Sequence, residues 1–503
     1  MRIMKEDQLI DYAYNLADED SHTARSGYAR IGWAVFLLLL IFTFLISLGA
    51  QMSVLFFALG VLLIILAWRY PYESFYLVAV SSLLLGLTIS IQTGGLAFST
   101  RAFGGAIDIL VFEVLAVALI VAWSLRMLIL WRGRRDKNWK PWLPLMIPVA
   151  LLVLSHALSI LSPTNPDHIG VIKFSLRPIF AVYLISVVLT VNFVQSERRL
   201  RALLATVMVT ALFFALDGFR SIFTAGFEAS FERAHPVFLL FNMNPLGGNH
   251  NALAQMMLIG MSAALALAPL IRFEAERRLS YYAAIFMGFI VLLTLARSAW
   301  VALICMLFFL GATIWRTYVK AHSTKAIAAA ILLIPLAFYM ISFSLSDEVR
   351  GSTDARVLLN DIAIHAFEES PLVGIGAGTF TNRVGTTYAY IVEFATPRDS
   401  HGILQKIIAE TGAVGMLSFI LLFTSAVIII TEDWKKIRAH RIRAESYAYL
   451  VAGAIGAFVY QLFDTTYWTA RLWLPVGIVL AAGHIFKQVH DIREPDFLSP
   501  RDV

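Results

Sequence analysis

Cysteine is almost absent: Cys305 is the only one in 503 residues, and it lies inside an apolar run. No intramolecular disulfide can form, so cysteine usage leaves the redox compartment open. Charge is scarce as well. Asp, Glu, Lys and Arg make up 15% of the chain against 59% hydrophobic residues, too little polar surface for a soluble protein of this length. The glycines at 374, 376 and 378 are not followed by Gly-Lys-Ser/Thr, which excludes a phosphate-binding P-loop. No Asp-x-Asp pair and no His/Cys cluster with ligand spacing occurs in the segments assigned below to the outer side, so no metal site is expected there. The first 30 residues are polar, mixed in charge and too long before the first apolar run for a cleaved signal peptide.

What is present instead is a succession of apolar runs. Spans near 31–49, 52–69, 74–92, 107–130, 141–161, 171–194, 200–216, 252–271, 280–295, 299–316, 325–344, 412–430, 446–464 and 472–488 are each of about the length that crosses a ~30 Å hydrocarbon layer as a helix. The expected fold is an all-α polytopic membrane protein of about 14 transmembrane helices. The ninth and tenth runs form one apolar stretch broken only by Arg297-Ser298. A charge at mid-membrane is costly, so a tight hairpin with Arg297 at the interface is the cheaper arrangement.

Charge placement tests this topology independently. Basic clusters occur in the N-terminal tail, at 132–140, at Arg198, Arg199 and Arg201, at Arg272, Arg277 and Arg278, at Arg316, Lys320 and Lys325, and at 435–443. All fall on one side if the spans alternate from a cytoplasmic N-terminus, as cytoplasmic loops require. Both termini are then inside, and the long polar loop 346–411 is outside. The net charge of +6 reflects these inner loops, and nucleic acid is not an expected partner.

The outer face collects Lys173 and Arg177 one helical turn apart, Arg297, then Arg350, Arg356, Arg383, Arg398 and His401 in the loop, with Asp464 and Arg471 at the last outer turn. Each arginine taken singly also fits an interfacial residue paired with lipid phosphate. Within the loop, Thr353 or Asp354 is expected to cap a helix running to about Phe367, whose face of Leu358, Ile362 and Ala366 could rest on the membrane. Pro371 ends it. Glycines 374, 376 and 378 allow a tight turn or close approach of backbone to a ligand. Ser400 is expected to cap a second helix, placing His401 on its first turn, where the positive helix end holds the ring neutral. An ordinary interfacial histidine is the alternative.

Three segments in order, Thr294-Leu-Ala-Arg297-Ser-Ala-Trp300, Asp354-Ala-Arg356 with Pro371-Leu-Val-Gly374-Ile-Gly376, and Ser400-His401-Gly-Ile-Leu-Gln405 with Glu410-Thr-Gly412, resemble the O-antigen ligase and polymerase superfamily of bacterial inner-membrane glycosyltransferases. The stretch Asn249-His-Asn251 resembles the start of that family's core. The likeness covers roughly residues 245–430. The family often has Asn where Gly402 stands, and about twelve spans. The implied division is a tail over 1–30, a transmembrane bundle over 31–244, the ligase/polymerase-like core over 245–430, and C-terminal helices and tail over 431–503.

The resemblance implies a GT-C-like fold, no metal or cofactor, and a donor glycan carried on undecaprenyl pyrophosphate at the outer face of the inner membrane. The acceptor is a glycan, a lipid or a protein, and membrane lipids surround the chain. It assigns His401 as general base and Arg297 and Arg356 as pyrophosphate ligands, with Arg398 and Asn249 as further substrate-binding residues. Lys173 and Arg177 join them by topology. The chemistry suits these residues: arginines stabilise the charge growing on a pyrophosphate leaving group, and a neutral histidine takes the acceptor hydroxyl proton. A lipid-linked oligosaccharide flippase or other transporter is the alternative, but such proteins show internal repeats, and no convincing repeat relates the two halves.

Overall fold

The structure, a computed structural model, describes residues 51–92, 106–133, 141–164, 168–174, 181–224, 233–240, 242–316, 347–464 and 469–488, with the single residues 321, 324 and 342. Contacts divide the chain into two compact units. One is Met1–Phe75 with Val114–Asn138, and the other is Tyr76–Glu113 with Trp139–Val503.

Helices dominate, most of them within the apolar runs and three in the region 346–411. In chain order they are α1 (Gln51–Arg69), α2 (Pro71–Ser81), α3 (Val111–Gly133), α4 (Met146–Leu158), α5 (His168–Phe174), α6 (Leu189–Phe193), α7 (Glu197–Thr224), α8 (His250–Leu267), α9 (Glu274–Leu293) and α10 (Arg297–Ala312). Then come α11 (Asp347–Glu369), α12 (Phe380–Thr386), α13 (Tyr388–Phe394), α14 (Ile403–Ile437), α15 (Arg441–Gln461) and α16 (Ala470–Gln488). A π-helical turn, Leu184–Val188, precedes α6.

Five stretches among the described residues are long and apolar enough to cross a membrane: Val111–Ile129, Glu197–Thr224, His250–Leu270, Ile403–Ile437 and Ala470–Gln488. That is fewer than the about 14 spans expected. Several apolar runs fold into pieces too short to cross, such as the 13 residues of α4 and the 16 of α10. The run at 74–92 is not one helix. Here α2 stops at Ser81, and the chain turns into strand β1 (Thr88–Gln92), which pairs antiparallel with β2 (Ala106–Leu110). The sequence Thr88-Ile-Ser-Ile-Gln92 alternates polar and apolar residues, the period of a strand rather than a helix. The expected span at 31–49, and 325–344 apart from residue 342, lie outside the described residues.

Of these five stretches, those of α8 and α16 are the best buried, with 89% and 83% of their apolar windows inside the protein. Small residues let neighbours approach α8. A side chain at Gly260 would strike Ala211 of α7, and one at Gly453 of α15 would strike Ser262 of α8.

The hairpin expected at Arg297 forms. Leu295 takes φ of 52°, α9 ends at Leu293, and Arg297 opens α10. The region 346–411 differs from expectation in two ways. First, α11 begins at Asp347, so Thr353 and Asp354 lie inside it rather than capping it. Second, its apolar face does not rest on the membrane. Leu359, Ile362, Ala363 and Ala366 pack with Ile375, Phe380, Val384, Tyr390 and Ala409 in a core of the loop's own, with Leu358 at its edge. Pro371 follows the end of α11 as expected.

Sidedness is checked by tagging. Tags at Asp136 and Lys436 are expected to report the cytoplasm and one near Thr387 the outer side. An external signal at Lys436 would overturn the placement of the loop.

Candidate active site at the kinked helix

The glycine cluster after Pro371 approaches backbone, but the backbone belongs to this chain. Within α14, Gly412 adopts φ 61° and ψ −157°, which breaks the helix. The break exposes polar groups that helical residues would otherwise satisfy internally. Segment 371–376 takes them up. Ile375 N donates to Ala409 O at 2.9 Å and Gly376 N to Glu410 O at 3.1 Å. Ala413 N donates to Pro371 O at 2.8 Å and Val414 N to Leu372 O at 3.2 Å. A Cβ at Gly374 would collide with the Glu410 carbonyl, and one at Gly412 with the Leu372 carbonyl.

Gly412 occupies backbone space that is essentially open to glycine alone. Gly412→Ala is therefore expected to cost at least the ~1–3 kcal/mol of a strained backbone, read as a lowered unfolding midpoint in detergent. An unchanged midpoint would show that segment 371–376 can retreat freely.

Beside the break, the Glu410 carboxylate is fully buried and accepts the N–H groups of Gly378 at 2.9 Å and Phe380 at 3.0 Å. Lys406, one turn earlier, lies 3.8 Å from Glu410 and pairs with Asp399.

His401 is half-buried and stands before α14, whose first helical residue is Ile403 and whose N-cap is Gly402. The first-turn placement and the Ser400 cap expected from sequence are thus both corrected. Ser400 Oγ instead lies 3.3 Å from the Gly402 carbonyl and donates to it. Gly402 is extended (φ −170°), yet a Cβ there would lie 2.9 Å from the Leu462 carbonyl. The imidazole is neutral, but for a different reason from the helix end. Burial chiefly, then the charges of Arg356 and Arg398, push it down to about 4, against an opposing effect of Asp399.

Arg356 projects from α11 toward this group. Burial lowers its guanidinium below the usual arginine range, opposed by Asp464 and Tyr460, and its Nε is buried with no hydrogen-bond partner. Arg297 donates to Thr353 Oγ1 on the same helix at 3.4 Å and lies within electrostatic reach of Arg356 and Arg233. The structure therefore brings together Arg297, Arg356, Arg398 and His401. Of the other expected site residues, Asn249 caps α8 by accepting Asn251 N–H at 2.8 Å. Lys173 lies in α5, and Arg177 falls outside the described residues.

Arg233, Tyr460 and His250 are the members that reading the sequence missed. Arg233 lies 3.3 Å from His250 Nε2 at the start of α8. Arg233 and His250 sit in the segment between the seventh and eighth expected spans, which the charge pattern assigns to the same side as 346–411, and Tyr460 sits near the end of α15.

A groove of about 380 Å³, lined by Ile362, His365, Glu368, Glu369, Arg383 and Thr387, runs along α11. His365 is nine residues from Arg356 and so faces the opposite side of the helix. The Arg383–Glu369 ion pair lies in this groove, which holds none of the expected site residues. Among the described residues, no three His, Cys, Asp or Glu side chains are grouped to hold a metal ion.

No curated protein matches this chain. Residues 282–420, running from α9 through Arg297, Arg356 and His401 into α14, match the family model described as O-antigen ligase.

Proposed function

We propose that this protein transfers a glycan from an undecaprenyl-pyrophosphate carrier to an acceptor hydroxyl at the outer face of the bacterial inner membrane. The family match implies a glycan-transferring enzyme of the ligase or polymerase type, and the apolar helices a membrane protein. The observation that carries the finer reading is the grouping of a neutral, half-buried His401 with Arg356 and Arg398, all within the matched segment.

In this reading, Arg297 and Arg356 hold the donor pyrophosphate and stabilise the charge that grows on it as the glycosyl bond breaks. Arg398 supports them, with Lys173, Arg177 and Asn249 as outlying substrate contacts. His401 removes the acceptor hydroxyl proton during attack. The acceptor is a growing glycan, a lipid or a protein.

Purified protein in vesicles, given an undecaprenyl-pyrophosphate-linked glycan and an acceptor, is expected to form the glycosylated acceptor and free undecaprenyl pyrophosphate. Movement of the intact donor across the bilayer, with its glycosyl bond unbroken, would identify a transporter instead.

A further inference from the structure

His401 lies in segment 395–402, which belongs to no helix, and Ala395 at its start holds φ of 60°. An imidazole there needs other restraints to keep one orientation, and a displacement of about 1 Å in a reacting group can cost ~10²-fold in rate. Two restraints flank His401, and both end on Lys406. On one side, Asp399 pairs with the Lys406 ammonium through Oδ2, while its Oδ1 accepts Ser400 N–H at 2.9 Å. On the other side, the Gly402 carbonyl accepts the Lys406 backbone N–H at 3.1 Å. His401 is thus enclosed in a short ring closed at a single residue.

Lys406 is itself fixed. Its side chain is 4% exposed, Glu410 Oε1 lies 3.8 Å from its ammonium, and the Phe174 ring centroid lies 5.5 Å away. Glu410 in turn is anchored to the backbone at Gly378 and Phe380. Burying an ammonium is costly even when it is paired, and an apolar residue of similar volume often serves stability as well. The charge at 406 therefore calls for a use beyond packing.

We propose that Lys406 is a positioning residue that fixes His401 by holding Asp399 through its ammonium and Gly402 through its backbone. The proposal rests on His401 acting as the base. It separates Lys406 from the arginines, which face the pyrophosphate, and assigns the charge at 406 to the orientation of the proton acceptor.

The test uses the purified full chain with an undecaprenyl-pyrophosphate-linked glycan and acceptor extracted from the source cells. Lys406→Met and Asp399→Asn are made singly and in a His401→Ala background, and kcat and donor KM are measured for each. Each single variant is expected to lower kcat by about 10–10²-fold with little change in donor KM. Neither should slow the His401→Ala protein further, because residues acting as a unit are not additive. Wild-type kcat in the single variants, or an undiminished further loss in the His401→Ala background, would overturn the positioning assignment. Should Lys406→Met fail to fold, Asp399→Asn, which leaves the Lys406–Glu410 pair in place, decides by the same two readings. Failure of the base assignment is distinguishable, since His401→Ala alone would then run at the wild-type rate.

Discussion

Purified His401→Ala protein is expected to transfer glycan about 10²–10⁴-fold more slowly, the range typical of a lost acid–base group. Donor binding should change far less, because the pyrophosphate is held by arginines. The pH profile carries the sharper information. A base works in its neutral form, and burial with Arg356 and Arg398 nearby holds His401 down to about 4 in the free protein, Asp399 opposing. The rate should therefore rise with pH through the acid range and be level by neutrality, with kcat/KM reporting this free-enzyme ionisation. Bound pyrophosphate brings negative charge to the same arginines, so the limb in kcat should lie at higher pH than the limb in kcat/KM. A wild-type rate for His401→Ala, or a chemistry-limited profile with no histidine limb, would remove the base assignment.

Arg356→Ala and Arg297→Ala should each lower transfer by at least the ~10²–10³-fold that follows loss of a preorganised charge-stabilising donor, with the protein still folded and inserted. Arg356 is expected to be the more sensitive, since its Nε is buried without a hydrogen-bond partner. Arg297→Lys should keep part of the activity: a point charge preserves attraction to phosphate but loses the bidentate fork. EDTA should leave the wild-type rate unchanged, because side chains supply the positive charge. Full activity of both alanine variants would reduce these arginines to interfacial residues, and a metal-dependent rate would contradict the mechanism.

Much of the helical architecture was legible because it rests on length and hydropathy. Runs such as 252–271 and 472–488 return as helices within a few residues of their expected ends. The run at 74–92 failed because average hydropathy does not distinguish a helix from a helix followed by an alternating strand. At the candidate site, Arg297, Arg356, Arg398 and His401 were legible from their expected placement on one side of the membrane and from family likeness. The partners of these residues were not. Glu410 belongs to a segment that carries the family likeness, but Asp399 and Lys406 are common residue types with no signature spacing, and the relation of all three depends on how 395–402 folds back. The low proton affinity of His401 was anticipated for the wrong cause. Burial among arginines is a tertiary property, whereas a helix end is a local one, and only the local one can be read from sequence.

Gly412 has the backbone angles of a hinge, a residue able to absorb a large change in direction, yet it is not free to swing. Bending there would break four main-chain hydrogen bonds at once, those between 371–376 and 409–414. At about 1 kcal/mol each, they would leave the open form populated on the order of once in a thousand molecules. The kink is a latch: it sets the direction in which α14 leaves the site and keeps it set.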